Sequence, residues 1–205
     1  PYTDSYRAGL HLTYRFDKPR KVTDSAPAAA IPAAALDSGA IDLAMLAPGT
    51  SLTDIEARLA RAGITAGVAQ PGLIVYEAEI LPGIDQRQRL ALVHEGGRLV
   101  KAGLIIDFDD VGNLDTTQQT FLRVQETLIG RYGVPNTIEE GAFTANFVED
   151  VNRERFVRLS EWRMPAGTIR LGVPRRLDEQ VRMEVQYATR FPPPSQTLWS
   201  IEGIR

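Results

Sequence analysis

The spacing of apolar and polar side chains predicts β-strands in several parts of this chain, most clearly near its two ends. Residues 8 to 16 alternate Leu, Leu, Tyr and Phe with polar residues, which is the period of a strand that buries one face. Residues 181 to 190 alternate in the same way, beginning with Val181, Met183 and Val185. After the first strand, residues 24 to 39 are rich in Ala and Pro and predict a linker.

A first group of elements follows this linker. Hydroxyl residues stand three positions before acids within residues 49 to 56, a spacing that caps the start of a helix. Apolar side chains then recur at helical intervals over residues 52 to 62, and Gly63 is placed to end the helix. Three strands are predicted next, at residues 73–80, 89–95 and 98–108. Gly96 and Gly97 suit a tight hairpin between the last two, because glycine adopts positive φ without steric cost.

A second group repeats the same order of elements. Residues 116 to 132 place apolar side chains on one helical face, and Gly133 with Pro135 predicts the end of that helix. Three strands are predicted after it, at residues 155–163, 168–173 and 181–190. The chain then continues into three consecutive prolines, which favour an extended polyproline conformation.

Helices with one apolar side, each followed by strands in consecutive hairpins, indicate a two-layer α+β protein. We therefore predict two αβββ units, with antiparallel strands, helices packed on one face of the sheet or sheets, and an additional N-terminal strand. Periodicity leaves open whether the units share one sheet or form two lobes. The predicted divisions are residues 1–40 for the N-terminal strand and linker, 41–114 for the first unit, 115–191 for the second unit and 192–205 for a Pro-rich tail.

The composition excludes several kinds of chemistry. The 205 residues include no Cys, so a disulfide framework, a thiolate zinc site and a cysteine nucleophile are impossible. The formal net charge of −3 gives no general attraction to nucleic acid or acidic lipid. No window reaches the roughly 18 apolar residues of a membrane-spanning helix, so we expect no transmembrane segment. The chain begins at Pro1 without Met, which is compatible with a signal peptide or lipid anchor upstream.

Residues 45 to 108 resemble a group of small bacterial envelope modules. The resemblance is carried by a glycine, a hydroxyl residue and an acid before a short helix, here Gly49, Ser51 and Asp54, and by the three strands that follow. This order is similar to that of the SmpA/OmlA (BamE-like) outer-membrane lipoproteins and of the β-lactamase-inhibitor-protein-like fold. The G-x-P sequence usual after the helix is absent at residues 63–65. The resemblance implies a non-catalytic, protein-binding module of the periplasm or outer membrane.

The acidic run over residues 107 to 115 is the most suggestive metal-binding sequence, but it does not complete a calcium loop. Its acids at the first and third positions and Gly112 at the sixth are typical of such a loop. Val111 occupies the fifth position and Gln118 the twelfth, where an oxygen ligand and a bidentate acid are required. We therefore expect a solvated turn here, no metal and no cofactor.

Few residues are placed to support catalysis. His11 and His94 lie in predicted strands, with no acid or nucleophile at a diagnostic spacing. Glu77 and Glu79 share one face of a predicted strand, which is common on the polar side of a sheet. This distribution predicts that the protein is not an enzyme.

Arginine is concentrated on one predicted strand and the segment before it, at positions 153, 155, 158 and 163. A nucleic-acid-binding sheet uses arginine and aromatic side chains in this way. Acids are interleaved with these arginines at positions 149, 150, 154 and 161. We therefore predict local, cross-strand ion pairing and no nucleic-acid partner.

Exposed aromatic and arginine side chains are the residue types that dominate protein interfaces. The predicted partner-binding residues are Tyr2, Tyr6, Trp162, Arg175, Arg176, Phe191 and Trp199. The hypothesis is a non-enzymatic structural or interaction subunit of a bacterial cell-envelope or membrane-associated assembly, which binds a protein partner through its sheet face and terminal segments. Two alternatives stay open: a small hydrolase or ligand-binding domain with a polar site on the open sheet face, and an inhibitor of a secreted enzyme.

Overall fold

The computed structural model describes residues 41–65, 67–108, 114–174, 177 and 181–191. The helices are a 3-10 helix (Leu43–Leu46), α1 (Leu52–Arg61), α2 (Leu114–Tyr132) and α3 (Phe147–Asn152). The strands are β1 (Gly67–Gln70), β2 (Leu73–Glu77), β3 (Gln88–Glu95), β4 (Arg98–Asp107), β5 (Thr137–Glu140), β6 (Arg158–Met164), β7 (Gly167–Gly172) and β8 (Arg182–Ala188).

The described strands form a single eight-stranded sheet in the order β1-β2-β3-β4-β8-β7-β6-β5. Every neighbouring pair in this order is antiparallel. The prediction of an α+β protein with an antiparallel sheet is confirmed, and the two halves of the chain share one continuous sheet. They join at its centre, where β4 pairs with β8.

The more detailed prediction of two αβββ units is not confirmed, because each half of the chain supplies four strands. The additional elements are β1, β5 and α3, which contain four, four and six residues. Segments this short carry too little periodicity to be recognised. The other predicted strands and the second helix agree with the structure to within three residues at each end. The predicted N-terminal strand, the linker and the Pro-rich tail lie outside the described residues.

The helices pack against one face of the sheet, where they build the main hydrophobic core. The helical residues of this core include Leu43, Leu46, Ile55, Leu59, Phe121, Val124, Leu128, Phe147 and Val151. The sheet residues that meet them include Ile74, Leu92, Ala102, Leu104, Val185, Tyr187, Ile169, Leu171 and Trp162. Because side chains alternate along a strand, the residues between these positions point to the opposite face.

The start of α1 is stabilised differently from the sequence-based prediction. Ser51 occupies the N-cap position, but its side chain makes no capping hydrogen bond. The backbone amide of Leu52 donates instead to the carbonyl of Gly97 at 2.9 Å, and Ser51 forms a β-bridge with Arg98. The β3–β4 hairpin therefore supplies the acceptor, and the N-cap residue does not make the side-chain capping bond that the hydroxyl spacing predicted. This pair of contacts fixes α1 to the hairpin.

The first described residues are held on the helical side of the molecule. The Arg131 guanidinium donates to the Ile41 carbonyl at 3.2 Å, and the Tyr132 hydroxyl donates to Asp42 Oδ1 at 2.6 Å. Burial and the hydrogen bond to Asp42 raise the pKa of Tyr132 above its usual range, so the phenol stays protonated and remains the donor. Ile41 itself is 5% exposed and belongs to the main core. The chain therefore enters the described structure beside the end of α2.

A buried glutamine organises the connection between β2 and β3. Gln88 is 5% exposed, and its amide oxygen accepts hydrogen bonds from the backbone amides of Ile80 and Leu81, at 3.0 and 2.8 Å. Its amide nitrogen donates to the carbonyls of Leu81 and Ile84, at 3.0 and 3.1 Å. One side chain thus satisfies four backbone groups of a loop whose residues Ile80 and Leu81 are fully buried.

We expect Gln88→Leu to lower the free energy of unfolding by about 2 kcal/mol, because it leaves buried backbone groups without hydrogen-bond partners. Urea unfolding followed by circular dichroism measures the change. Gln118, an exposed residue of α2, provides the matched control, since Gln118→Leu makes the same substitution at a solvent-exposed position. An equal effect of the two substitutions would contradict the role of Gln88.

Candidate binding face of the sheet

The face of the sheet opposite the helices carries a cluster of charged and polar side chains on its central strands. We call this surface the polar face, and its residues are Arg89 on β3, Asp107 on β4, Arg182, Glu184 and Gln186 on β8, Arg170 on β7 and Glu161 on β6. Five of them are buried, with exposed fractions of 4% for Arg89, 3% for Arg170, 6% for Arg182 and 0% for Glu184 and Gln186. Charged residues are rarely buried to this extent unless they are paired.

Cross-strand ion pairs connect the members of the polar face. Arg89 Nη2 lies 2.7 Å from Asp107 Oδ1, and Arg170 Nη2 lies 2.6 Å from Glu161 Oε1. In the second pair two guanidinium nitrogens contact the same carboxylate oxygen, because Arg170 Nε also donates to Glu161 Oε1 at 2.7 Å. Such charge-assisted hydrogen bonds offset part of the cost of removing the charges from water.

Glu184 is the centre of a second group on β8. Arg182 Nε donates to its Oε1 at 3.2 Å, and the amide nitrogen of Gln186 donates to its Oε2. Residues two apart on a strand share a face, so these three side chains stand in a row along β8. The sheet register places Gln186 opposite Arg170 of β7, which links this row to the Arg170–Glu161 pair.

Arg89 has a donor without a hydrogen-bond partner among the residues that the structure describes. Arg89 Nε is buried and makes no hydrogen bond, although Arg89 Nη2 is paired with Asp107. A buried guanidinium nitrogen without an acceptor is costly, and the oxygen of a bound group would satisfy it. The polar face therefore offers fixed positive and negative groups at defined spacing, together with this free donor.

A small apolar cluster adjoins the polar face on the first half of the sheet. It consists of Leu73, Ala91 and Ile105, with the partly buried Val75 and Val93 packed against them. We call it the apolar patch. It is separate from the main core, and Ala91 and Ile105 have exposed fractions of 0%. A surface with an apolar patch beside fixed charges has the chemistry of a polypeptide-binding interface.

The structure places the predicted partner-binding residues in different environments. Trp162 is 1% exposed and donates its indole N–H to the Gly133 carbonyl at 2.8 Å, so it belongs to the core and its expected exposure is wrong. Phe191 is half-buried, and its ring lies 4.3 Å from the guanidinium carbon of Arg170 in a cation–π contact on the polar face. Tyr2, Tyr6, Arg175, Arg176 and Trp199 lie outside the described residues.

Leu177, a described residue between β7 and β8 close in sequence to Arg175 and Arg176, is bound by Asn152. The Asn152 side-chain amide donates to the Leu177 carbonyl at 3.1 Å and accepts from the Leu177 amide at 2.7 Å. This double hydrogen bond fixes Leu177 to the end of α3. The pairing was not predicted, because residues 25 positions apart have no sequence signal that joins them.

The described candidates for catalysis, Glu77 and His94, do not converge, and His11 lies outside the described residues. Glu77 forms an exposed ion pair with Arg87 at one end of the β2–β3 hairpin. His94 lies at the other end, where its backbone amide donates to Gly72. Within the described ranges, no group of three or more His, Asp and Glu side chains is arranged to hold a metal ion. Asp107, from the calcium-like sequence, is paired with Arg89.

The arginine-rich segment contains the local ion pairs that the sequence predicted. Arg153 pairs with Glu149 at 2.5 Å and Arg155 with Asp150 at 2.8 Å. Both pairs lie within α3 and the turn after it, whereas the prediction placed them across strands. Arg158 differs, because its guanidinium lies over the ring of Phe121 at 4.9 Å, and burial lowers its pKa.

The buried members of the polar face were missed by sequence reasoning. Arg182, Glu184 and Gln186 were recognised as the polar positions of an alternating strand, and that pattern normally indicates a solvated face. Their burial depends on how far this face of the sheet is covered, which periodicity does not reveal. The signal that could have revealed this pairing is a base and an acid at positions i and i+2 of one strand, since this spacing permits pairing on a single face.

Comparison of the chain with protein-family models, with curated proteins and with solved structures finds no match. The resemblance to the SmpA/OmlA-like modules therefore receives no support from relatives. As for membranes, none of the helices among the described residues combines the length and the apolar character that crossing a bilayer requires.

Proposed function

We propose that this protein is a non-enzymatic interaction subunit of a bacterial cell-envelope assembly and that it binds a protein partner on the polar face of its sheet. The observation that carries the proposal is the set of buried, ion-paired side chains on the face opposite the helices. Residues that only form a fold are normally apolar at the centre of a sheet, and buried ion pairs are weak contributors to stability. Fixed, paired charges are also the groups by which an interface selects its partner, and their presence here supports a role in recognition.

The chemistry of the face favours a polypeptide over other ligands. Arg89, Arg170 and Arg182 are interleaved with Asp107, Glu161 and Glu184, so there is no uniformly positive surface for phosphates. A polypeptide can present carboxylate, guanidinium and backbone groups to such a mixed surface and apolar side chains to the apolar patch. An inhibitor of a secreted enzyme would use the same chemistry with a different partner.

The envelope setting is inferred from the sequence resemblance of residues 45–108 to outer-membrane lipoprotein modules. Under this proposal the two halves of the chain, which share an order of helix before strands, form one wide binding surface on their common sheet. Fold-level analogy is associational, so location requires its own measurement. Fractionation of cells that express the native gene provides it, and recovery in the cytosol would contradict the envelope setting.

Site-specific photo-crosslinking tests the binding face. A photoreactive amino acid at Arg163 lies on the polar side of β6, next to Glu161, and is exposed. We expect one discrete adduct with a protein of the envelope fraction, because a bound partner covers this position. The yield should fall at least fivefold when Glu161→Lys is added, since the reversed charge repels Arg170 and disrupts the face.

The matched control carries the same photoreactive residue at Glu126, an exposed position of α2 on the helical side. We expect no adduct of the same size there. Adducts from Glu126 alone, or none from either position in cells that contain the whole envelope, would contradict binding through the sheet.

A further inference from the structure

The described strands give the sheet two edges, β1 on one side and β5 on the other. The Gly141 amide donates to the Val157 carbonyl at 2.7 Å, which shows which groups of β5 bond to β6. Bonded positions alternate along an antiparallel ladder, so Glu139 also bonds to β6, whereas the backbone N–H and C=O groups of Ile138 and Glu140 point away from the sheet. Within the described residues, these outward groups have no hydrogen-bond partner.

The side chains of β5 bring negative charge to this open edge. Ile138 is 49% exposed, and Glu139 and Glu140 are exposed beside it. Neighbouring residues of a strand point to opposite faces, so Glu139 lies on the polar-face side and Glu140 on the helical side. Arg158 stands opposite Glu140 in the ladder, but its guanidinium lies over the ring of Phe121. Neither carboxylate of β5 forms an ion pair with a described residue.

Contacts at both ends hold β5 in its extended form. The Asn136 amide donates to the Glu161 carbonyl at 2.7 Å, and the Asn136 side-chain oxygen accepts from the Arg163 amide at 2.6 Å. At the other end, a Cβ on Gly141 would lie 2.7 Å from the Val157 carbonyl oxygen, so the close approach of the two strands requires glycine. A strand that is already ordered loses little conformational entropy when another strand is added to it.

The charge of β5 determines which strand can be added. Pairing of β5 with a second copy of itself would bring Glu139 and Glu140 close to the same acids, and like charges across a ladder are destabilising. Charged residues on an edge strand prevent such self-association. The acids of β5 therefore exclude a second copy and favour a strand of positive charge. The other edge, β1 (Gly67–Gln70), has no charged residue with which to make this selection.

We propose that the edge of β5 binds an extended, basic segment of a protein partner as a further strand of the sheet. In this mode of recognition, main-chain hydrogen bonds supply affinity and side chains supply specificity. Antiparallel addition, the arrangement of every described pair in the sheet, places basic residues opposite Glu140 and Glu139 and an apolar residue opposite Ile138. The edge is separate from the polar face, so this inference goes beyond the proposed function and does not rest on it.

Amide hydrogen exchange locates the added strand. The probe is a synthetic peptide of sequence TTRRVTT, blocked at both ends, which carries two basic residues and an apolar residue in the required order. We expect saturation with this peptide to slow exchange of the Ile138 and Glu140 amides by roughly tenfold or more, because they gain acceptors. The amides of β1, at the other edge, should keep their rates. No slowing at Ile138, or equal slowing on β1, would overturn the proposal.

Two methylated peptides distinguish strand addition from attraction between charges. In the antiparallel arrangement the N–H of the peptide valine donates to the Ile138 carbonyl, whereas the N–H of the second arginine, opposite Glu139, points away from the sheet. N-methylation of the valine should therefore weaken binding by roughly tenfold or more, and N-methylation of the second arginine by less than about twofold. Equal binding of the two methylated peptides would show that no strand is added at this edge.

Charge reversal tests the role of the two acids. We expect Glu139→Lys combined with Glu140→Lys to weaken binding of TTRRVTT by roughly tenfold or more, with circular dichroism confirming that the variant is folded. The matched control combines Glu56→Lys and Glu126→Lys, which make the same change of net charge at exposed positions of α1 and α2. Equal losses in the two variants would overturn the proposal, because the attraction would then come from the net charge. These measurements use the isolated protein and a peptide, so their failure is separate from failure of the envelope-binding function.

Discussion

Trp162→Ala should lower the free energy of unfolding by about 3 to 5 kcal/mol. The indole is 1% exposed and packs in the main core, so its removal leaves a cavity beneath the helices. The change also removes the 2.8 Å hydrogen bond to the Gly133 carbonyl, which follows the last turn of α2. Urea unfolding monitored by far-ultraviolet circular dichroism measures the loss.

Two further variants separate packing from hydrogen bonding at this position. Trp162→Phe keeps most of the apolar volume and loses the indole donor, so its effect should be smaller than that of alanine. Val134→Ala, at a side chain that is 79% exposed, should change the stability by no more than about 0.5 kcal/mol. A loss below about 1 kcal/mol for Trp162→Ala would contradict its place in the core.

Glu184→Leu is expected to lower the stability by about 3 to 5 kcal/mol, because it leaves buried positive charge without this carboxylate. Glu184 is fully buried and accepts hydrogen bonds from both Arg182 and Gln186. Its loss affects the whole row of β8, and through Gln186 the neighbouring Arg170. Chemical unfolding at neutral pH gives the magnitude.

A double-mutant cycle identifies the cause of this loss. The variant with both Glu184→Leu and Arg182→Leu removes the charges together, and we expect it to be more stable than Glu184→Leu alone. Glu77→Leu serves as the exposed comparison, because its pair with Arg87 has side-chain exposures of 63% and 54%. Breaking an exposed pair costs about 0 to 1 kcal/mol. Similar losses for Glu77→Leu and Glu184→Leu would contradict the burial of the polar face.

The long elements of the fold could be predicted because their side chains obey one period over many residues. The alternation around Val185 and the helical spacing around Val124 are of this kind, and both segments have the expected structure. The short strands β1 and β5 could not be found in this way. Strand order was also beyond prediction, since pairing of β4 with β8 depends on contacts between distant residues.

The candidate site was harder to predict from the sequence than the fold was. Aromatic residues near the termini or strand ends were predicted to bind a partner. Trp162 lies in the core instead, because a large apolar ring gains more from burial than from exposure. Arg170 and Glu184 were passed over because charged residues on an alternating strand usually face water. Their burial could not be anticipated, because alternation along a strand shows which residues share a face but not how far that face is covered.

The pairing of β4 with β8 also determines when the molecule can fold during its synthesis. Lys101 pairs with Ala188, so the central ladder joins residues 87 positions apart. The first four strands leave the ribosome well before β8 is made, and until then β4 presents an unpaired hydrogen-bonding edge. Such non-local closure is slow, so we expect the nascent first half to expose the edge of β4 for as long as β8 is unavailable.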